Sequence, residues 1–184
     1  MDWAAKASVS DLETMSRMRQ TLATPRLFWG SFALVLCMQL VMGYVLRDAG
    51  ADLVPLQLTY DADVFRDIVA GWTPQQLAQY KAHFGPDFAY PVMYGFFLMC
   101  WLARVLTKCG ASARWDRAFI LPCVAVLADF CENALHIALW GSHASPEPVL
   151  VLIAACFAAV KWGILVVLFG CLIVLSMIRM RRAR

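Results

Sequence analysis

Charged side chains make up only 16% of the 184 residues, against 61% hydrophobic ones and a mean hydropathy of +0.64, a balance that excludes an ordinary water-soluble domain. The motifs that carry chemistry in soluble proteins are missing too. There is no phosphate-cradling glycine loop, no Gly-x-Ser-x-Gly elbow and no basic strip with interleaved aromatics, which argues against nucleotide-driven work and against nucleic acid as a partner. Histidine is limited to His83, His136 and His143, with no His-Glu-x-x-His and no Glu-x-x-His pair. Only His136 falls inside an apolar run, so a pair of axial histidines for heme is lacking, and no cofactor is expected. Seven cysteines are present but none form a Cys-x-x-Cys pair, and the segments assigned below to the outer face contain none. Thiol–disulfide chemistry is therefore set aside in favour of cysteine as a small apolar packing residue.

What remains is hydrophobic length. Four apolar runs, at about 27–46, 88–107, 118–140 and 148–178, each supply the roughly 20 residues that a helical crossing needs. The expected fold is all-α, a single-domain integral membrane four-helix bundle without internal repeats. Basic residues cluster before the first run (Arg17, Arg19, Arg26), around the second connection (Arg104, Lys108, Arg114, Arg117) and after the fourth (Arg179, Arg181, Arg182, Arg184). The other two connections are acidic. The positive-inside rule then predicts cytoplasmic termini and a cytoplasmic 108–117 loop, with Trp29 and Trp115 at the inner interface and Trp140 at the outer one.

The first 26 residues are polar to mixed, with Asp11 and Glu13, unlike a cleavable signal peptide. Ser10 and Glu13 have capping-box spacing, and Leu12, Met15, Met18 and Leu22 follow at helical spacing. A short amphipathic helix on the cytoplasmic face is expected, with a disordered tail as the rival reading. In the outer segment 48–87, Val64, Phe65, Ile68 and Val69 make one apolar face. Thr73-Pro74 opens a second helix through Leu77, Tyr80 and Phe84 that Gly85 should stop. Covering the polar helix ends is preferred to a lid as the role of these pieces. His83 and His143 are expected to be solvated, Arg47 and Arg104 to snorkel, and Met15, Met18, Phe96 and Phe97 to pack or face lipid.

The stretch LADFCENALHIALW, residues 127–140, breaks the apolar pattern. Asp129, Glu132 and His136 follow at i, i+3 and i+7 and share one face with Asn133 beside them, while Leu127, Phe130, Ala134, Leu135 and Ile137 lie away from it. Counting about 1.5 Å per residue places His136 about 6 Å, Glu132 about 12 Å and Asp129 about 16 Å below Trp140. Lys161, about 20 Å below Pro148, reaches the level of Asp129, and the two are expected to form a buried ion pair. Gln39 and Tyr94, about 10 and 9 Å below their helix ends, match the layer of Glu132 and His136. The proposed interior is a layered polar core with Gln39, Tyr94, Glu132, Asn133 and His136 above an Asp129–Lys161 floor, and no second cation for Glu132.

YPVMYG (90–95) followed by LPCVAVLADFCENAL (121–135) resembles a recurrent arrangement in small bacterial membrane proteins with Tyr-Pro-x-x-Tyr-Gly in one span and Asp-x-x-Glu-Asn in the next. The resemblance covers two of the four spans and implies a bacterial inner-membrane setting. It singles out Tyr90, Tyr94, Asp129, Glu132 and Asn133, and implies no activity.

Three readings follow. The first is binding or transport of a small polar or amphipathic molecule, with Glu132, Asn133, His136, Tyr94, Gln39 and Tyr90 supplying hydrogen bonds or relaying protons. The second is a structural subunit or scaffold whose polar contacts fix helix register. The third is a metal-dependent membrane hydrolase using Glu132 and His136 at i, i+4 with Asp129 as a third ligand. The lipid bilayer is the expected partner, a small-molecule or lipid ligand is the expected guest, and association of copies is left open.

Overall fold

The computed structural model describes residues 14–141 and 143–182, and it is helical with no strand among the described residues. Helix α1 (14–22) leads through Thr24 into α2 (Pro25–Val45), where Pro25 sits at the first helical position and so sacrifices no hydrogen bond. Two short helices follow, α3 (Gly50–Leu58) and α4 (Ala62–Ala70). Asp61 starts α4 by accepting from the Asp63 and Val64 amides at 2.8 and 3.4 Å. Helix α5 runs Pro74–Lys108, a 3-10 turn covers Ala113–Phe119, and α6 (Ile120–Trp140) and α7 (Pro148–Arg182) complete the chain. Four helical stretches are long and apolar enough to cross a membrane.

The capping box expected at Ser10–Glu13 lies outside the described residues. Downstream of it, the helix is present and docked. Arg19 Nη1 donates to the Ala111 carbonyl and to Asp116 Oδ1, both at 3.0 Å, and Met15 and Leu22 pack on the core formed by α5 and its neighbours. Asp116 is buried, so the contact with Arg19 is what compensates its charge.

Helix α5 corrects the expected stop at Gly85. It continues unbroken through Gly85, Pro86 and Pro91 for 35 residues, about 52 Å at 1.5 Å per residue. A proline removes one helical hydrogen bond, but here Tyr80, His83, Phe84 and Asp87 are all buried against other helices, and that packing outweighs the local break. The first turns of α5 thereby extend beyond a core roughly 30 Å thick and stand beside α3 and α4. The Thr73–Gln76 capping box at its start is formed.

Helix α3 is an element that the sequence reading did not anticipate. The turn that leads into it is clamped to α5 at Asp48, which accepts from Gln75 and Gln79 side chains at 2.6 Å each while its amide donates to Gln79 Oε1. Trp72 Nε1 donates to Asp52, and Trp162 Nε1 donates to Gln57 Oε1. With Leu56, Phe65, Val69 and Trp72 buried, α3 and α4 close one end of the bundle over α5, α6 and α7. Helix α2 stands apart: it packs on α5 and scarcely on α7.

Candidate functional site

The stripe on α6 faces inward. Asp129, Glu132, Asn133 and His136 are all buried, whereas Leu127, Ala134 and Ile137 are exposed on the opposite side. Helix periodicity alone produces this division, because the four polar positions fall within about one third of the helix circumference.

Lys161 of α7 lies between two carboxylates of α6. Its Nζ donates to Asp129 Oδ1 at 3.1 Å and stands 2.7 Å from Glu132 Oε2, outside hydrogen-bond direction. No second cation stands near Glu132 among the described residues, but the one ammonium is shared: it carries three protons and can serve two carboxylates. Glu132 Oε1 has no hydrogen-bond partner among the described residues. The other oxygen of Asp129 accepts from Tyr94 at 2.9 Å. Tyr94 thus joins the floor of the site and not the layer of Glu132 and His136.

A second group of polar side chains continues toward α3 and α4. His136 Nδ1 meets the Tyr80 hydroxyl at 2.8 Å, Phe65 of α4 stacks on the His136 ring, and His136 Nε2 has no partner among the described residues. His83 Nδ1 faces the Tyr80 carbonyl, and its Nε2 lies 3.8 Å from Asp87 Oδ2. His83 is only 1% exposed, so its placement in solvent is corrected, and Tyr80 and Asp87 join the site. Their signal was the 80–83–84–87 spacing, which continues the buried face of α5 across the supposed stop. His143 is half-buried, with Nδ1 at 2.8 Å from the Trp140 carbonyl.

Asn133 performs a distinct task. Pro91 has no N–H to give the Asp87 carbonyl one turn earlier, and Asn133 Nδ2 donates to that same carbonyl at 3.3 Å. The proline of the Tyr-Pro-x-x-Tyr-Gly stretch and the asparagine of Asp-x-x-Glu-Asn are therefore two halves of one contact. Gly95 lets α6 approach α5 closely, since any Cβ there would collide with Val126. Asn133→Leu should cost about 1–2 kcal/mol in detergent unfolding, and in a Pro91→Ala background, where the carbonyl regains its own amide, the loss should fall below half that. Equal losses in both backgrounds would remove the link.

Gln39 lies elsewhere: it accepts from Tyr90 at 2.6 Å, forming a separate pair. Both line a cavity of about 720 Å³ between α2, α3 and α7. Its polar base is Asp87, Tyr94, Asp129 and Lys161, and its walls are apolar, from Val35 and Met42 to Leu165 and Phe169. Arg47 does not simply snorkel, for it stands at this cavity beside Asp48 and over Tyr44. Helices α2 and α7 form the long walls and scarcely pack on one another, which leaves this space between them.

No group of three His, Cys, Asp or Glu side chains converges as a metal-ligand set among the described residues. His136 directs Nδ1 to Tyr80, and Glu132 turns to Lys161.

Four helices long and apolar enough to cross a membrane, packed around a buried ionisable cluster, are compatible with the class of helical integral membrane proteins. No family model, curated protein or solved structure matches the chain.

Proposed function

We propose that this protein binds an amphipathic molecule drawn from the membrane, with its polar end at Asp87, Tyr94, Asp129 and Lys161 and its apolar part between α2 and α7. The observation that carries this reading is the position of the cavity. Asp87, Asp129 and Lys161 line a space of about 720 Å³ with apolar walls, the combination of an apolar pocket and a few convergent polar groups that binding sites share. Lys161 is shared by Asp129 and Glu132, and Asp87 at the base has no Lys or Arg within 4.0 Å among the described residues, so acceptors are left over there and the base favours a head group that donates hydrogen bonds. Binding and transport both begin with this step, and Glu132, His136 and Tyr80 extend the polar groups from the base toward α3 and α4. Asn133 and the Asp129–Lys161 contact also support the scaffold reading, because each ties helices together whatever occupies the cavity.

The test is photolabelling in nanodiscs with a single-chain amphiphile carrying a diazirine in its tail and an amine head. Labels should concentrate at residues 35–54 and 161–169 and be lost in Gly43→Trp. Labelling spread evenly over the bundle, and unchanged by the substitution, would reject the site.

The proposed setting is a bacterial inner membrane, with both termini and the connection between α5 and α6 in the cytoplasm. The basic residues flanking that connection support it, as does the sequence resemblance, for which the Pro91–Asn133 contact supplies a physical reason. Cys109 is an exposed free thiol at the start of the connection, whereas the other six cysteines lie within the spanning helices. A charged, impermeant maleimide should modify Cys109 in inverted membrane vesicles and not in right-side-out ones; the reverse result would invert the topology.

A further inference from the structure

A second cavity, of about 410 Å³, lies at the opposite end of the bundle from α3 and α4, between α2, α5 and α7. Arg104, Lys108 and Arg179 contribute three cations to its lining, and no acidic residue does. Arg104 and Lys108 are one turn apart on α5 and so share a face, while Arg179 reaches the same space from α7. None of the three has a carboxylate within 4.0 Å among the described residues, in contrast to Arg19, Arg47, Arg66 and Lys161. Arg104 is already oriented: its guanidinium lies 5.3 Å from the centre of the Phe28 ring, and Nη1 donates to the Ala23 carbonyl at 3.4 Å. The remaining guanidinium protons have no hydrogen-bond partner among the described residues and can meet an anion.

The rest of the lining is largely apolar and aromatic: Val105 lies between Arg104 and Lys108 on α5, and Trp101, Phe28 and Leu175 complete the wall. Trp101 Nε1 donates to Ser176 Oγ, which holds α5 to α7 at this level. Trp101 is three residues from Arg104 and seven from Lys108, about 5 and 10 Å along the helix, so charge gives way to hydrocarbon over a distance comparable to the interfacial layer, about 5–8 Å on each side of the core. The exposed apolar faces of α2 (Trp29, Phe32) and α7 (Val174, Leu175) continue from the same place.

We propose that this cavity seats the phosphate of an anionic phospholipid from the surrounding leaflet, gripped by Arg104, Lys108 and Arg179, with its acyl chains lying along α2 and α7. Charge complementarity selects an anionic head over a zwitterionic one, and the apolar wall selects a lipid over free phosphate. The site shares no lining residue with the cavity at Asp87 and Lys161, and its occupancy does not depend on the function proposed for that cavity.

The test uses the full chain in neutral detergent, freed of bound lipid, with affinity read by native mass spectrometry and by thermal shift. Three probes are titrated: phosphatidylglycerol, phosphatidylcholine with the same chains, and inorganic phosphate. Phosphatidylglycerol should bind in preference to phosphatidylcholine, and inorganic phosphate at millimolar concentration should leave the melting temperature unchanged. Lys108→Gln with Arg179→Gln, both exposed positions that the fold does not need, should weaken phosphatidylglycerol binding roughly thirtyfold, at about five- to sixfold per cation lost near the surface. Gly43→Trp should leave the preference intact. Equal binding of the two lipids, or a preference that survives in a double variant melting like the parent, overturns the proposal. Stabilisation by phosphate alone, equal to that by phosphatidylglycerol, would also overturn it by assigning the cavity to a soluble anion.

Discussion

Lys161→Met is expected to lower stability in detergent by about 3 kcal/mol, because it leaves Asp129 and Glu132 buried beside one another with no cation between them. Removing one partner of a buried pair costs roughly 3–5 kcal/mol in soluble proteins. In a membrane the unfolded reference already holds both carboxylates in hydrocarbon and finds them other partners, which moves the expectation toward the lower end. Methionine keeps most of the volume of the lysine stem, so the loss reports charge and not a cavity. The rescue pattern distinguishes a shared ammonium from a simple pair. Asp129→Asn in the Lys161→Met background should recover part of the loss, and Asp129→Asn with Glu132→Gln should recover most of it. If Asp129→Asn alone restores the parent melting temperature, Glu132 is not a partner of Lys161. If Lys161→Met melts like the parent, the contact has no energetic weight.

Gly43→Trp is expected to reduce labelling by the cavity-directed amphiphile at least about tenfold while leaving the melting temperature within about 2 °C of the parent, the shift that roughly 0.5–1 kcal/mol produces in a chain of this size. Position 43 lies one turn from Gln39 on the cavity face of α2, and a Cβ built there meets nothing within 4 Å. The indole therefore enters space that is already open, and glycine contributes nothing to helix stability that its loss would cost. A buried indole occupies about 150–250 Å² of contact. At about 25 cal/mol per Å², even the lower figure, about 3.8 kcal/mol, is more than twice the roughly 1.4 kcal/mol that tenfold weakening represents. Undiminished labelling at 35–54 in a variant of unchanged stability would show that the amphiphile lies on the outer face of α2. In that case the cavity is not its site.

Much of the architecture was legible in the chain because a bilayer imposes two strong constraints. Each crossing must be a helix of about 20 apolar residues, and any ionisable group within it must turn inward. Hydropathy gave four spans, periodicity put Asp129, Glu132, Asn133 and His136 on one face of α6, and counting residues along two axes placed Lys161 level with Asp129. The errors came from treating local signals as final. Gly85-Pro86 marked a helix end, so His83 and Asp87 were assigned to the outer segment, although the buried face they share with Tyr80 and Phe84 carries α5 through the break. Counting charges one to one left Glu132 without a partner, although Lys161 stands beside both carboxylates. Helix α3 had no strong signal at all, with Gly50 at its start and Pro55 inside it.

By itself, then, the order of residues determined what must be helical, which helices are long enough to cross a membrane and which face of α6 avoids lipid. Those properties depend on residues within a few turns of one another, and one helix is enough to express them. Tertiary structure decided that Asn133 answers the carbonyl left free by Pro91, that one lysine serves two carboxylates, and that α2 stands off from α7 to leave a cavity. These depend on distances between helices. Such distances arise from the packing of whole side-chain surfaces, and no single segment of the chain encodes them.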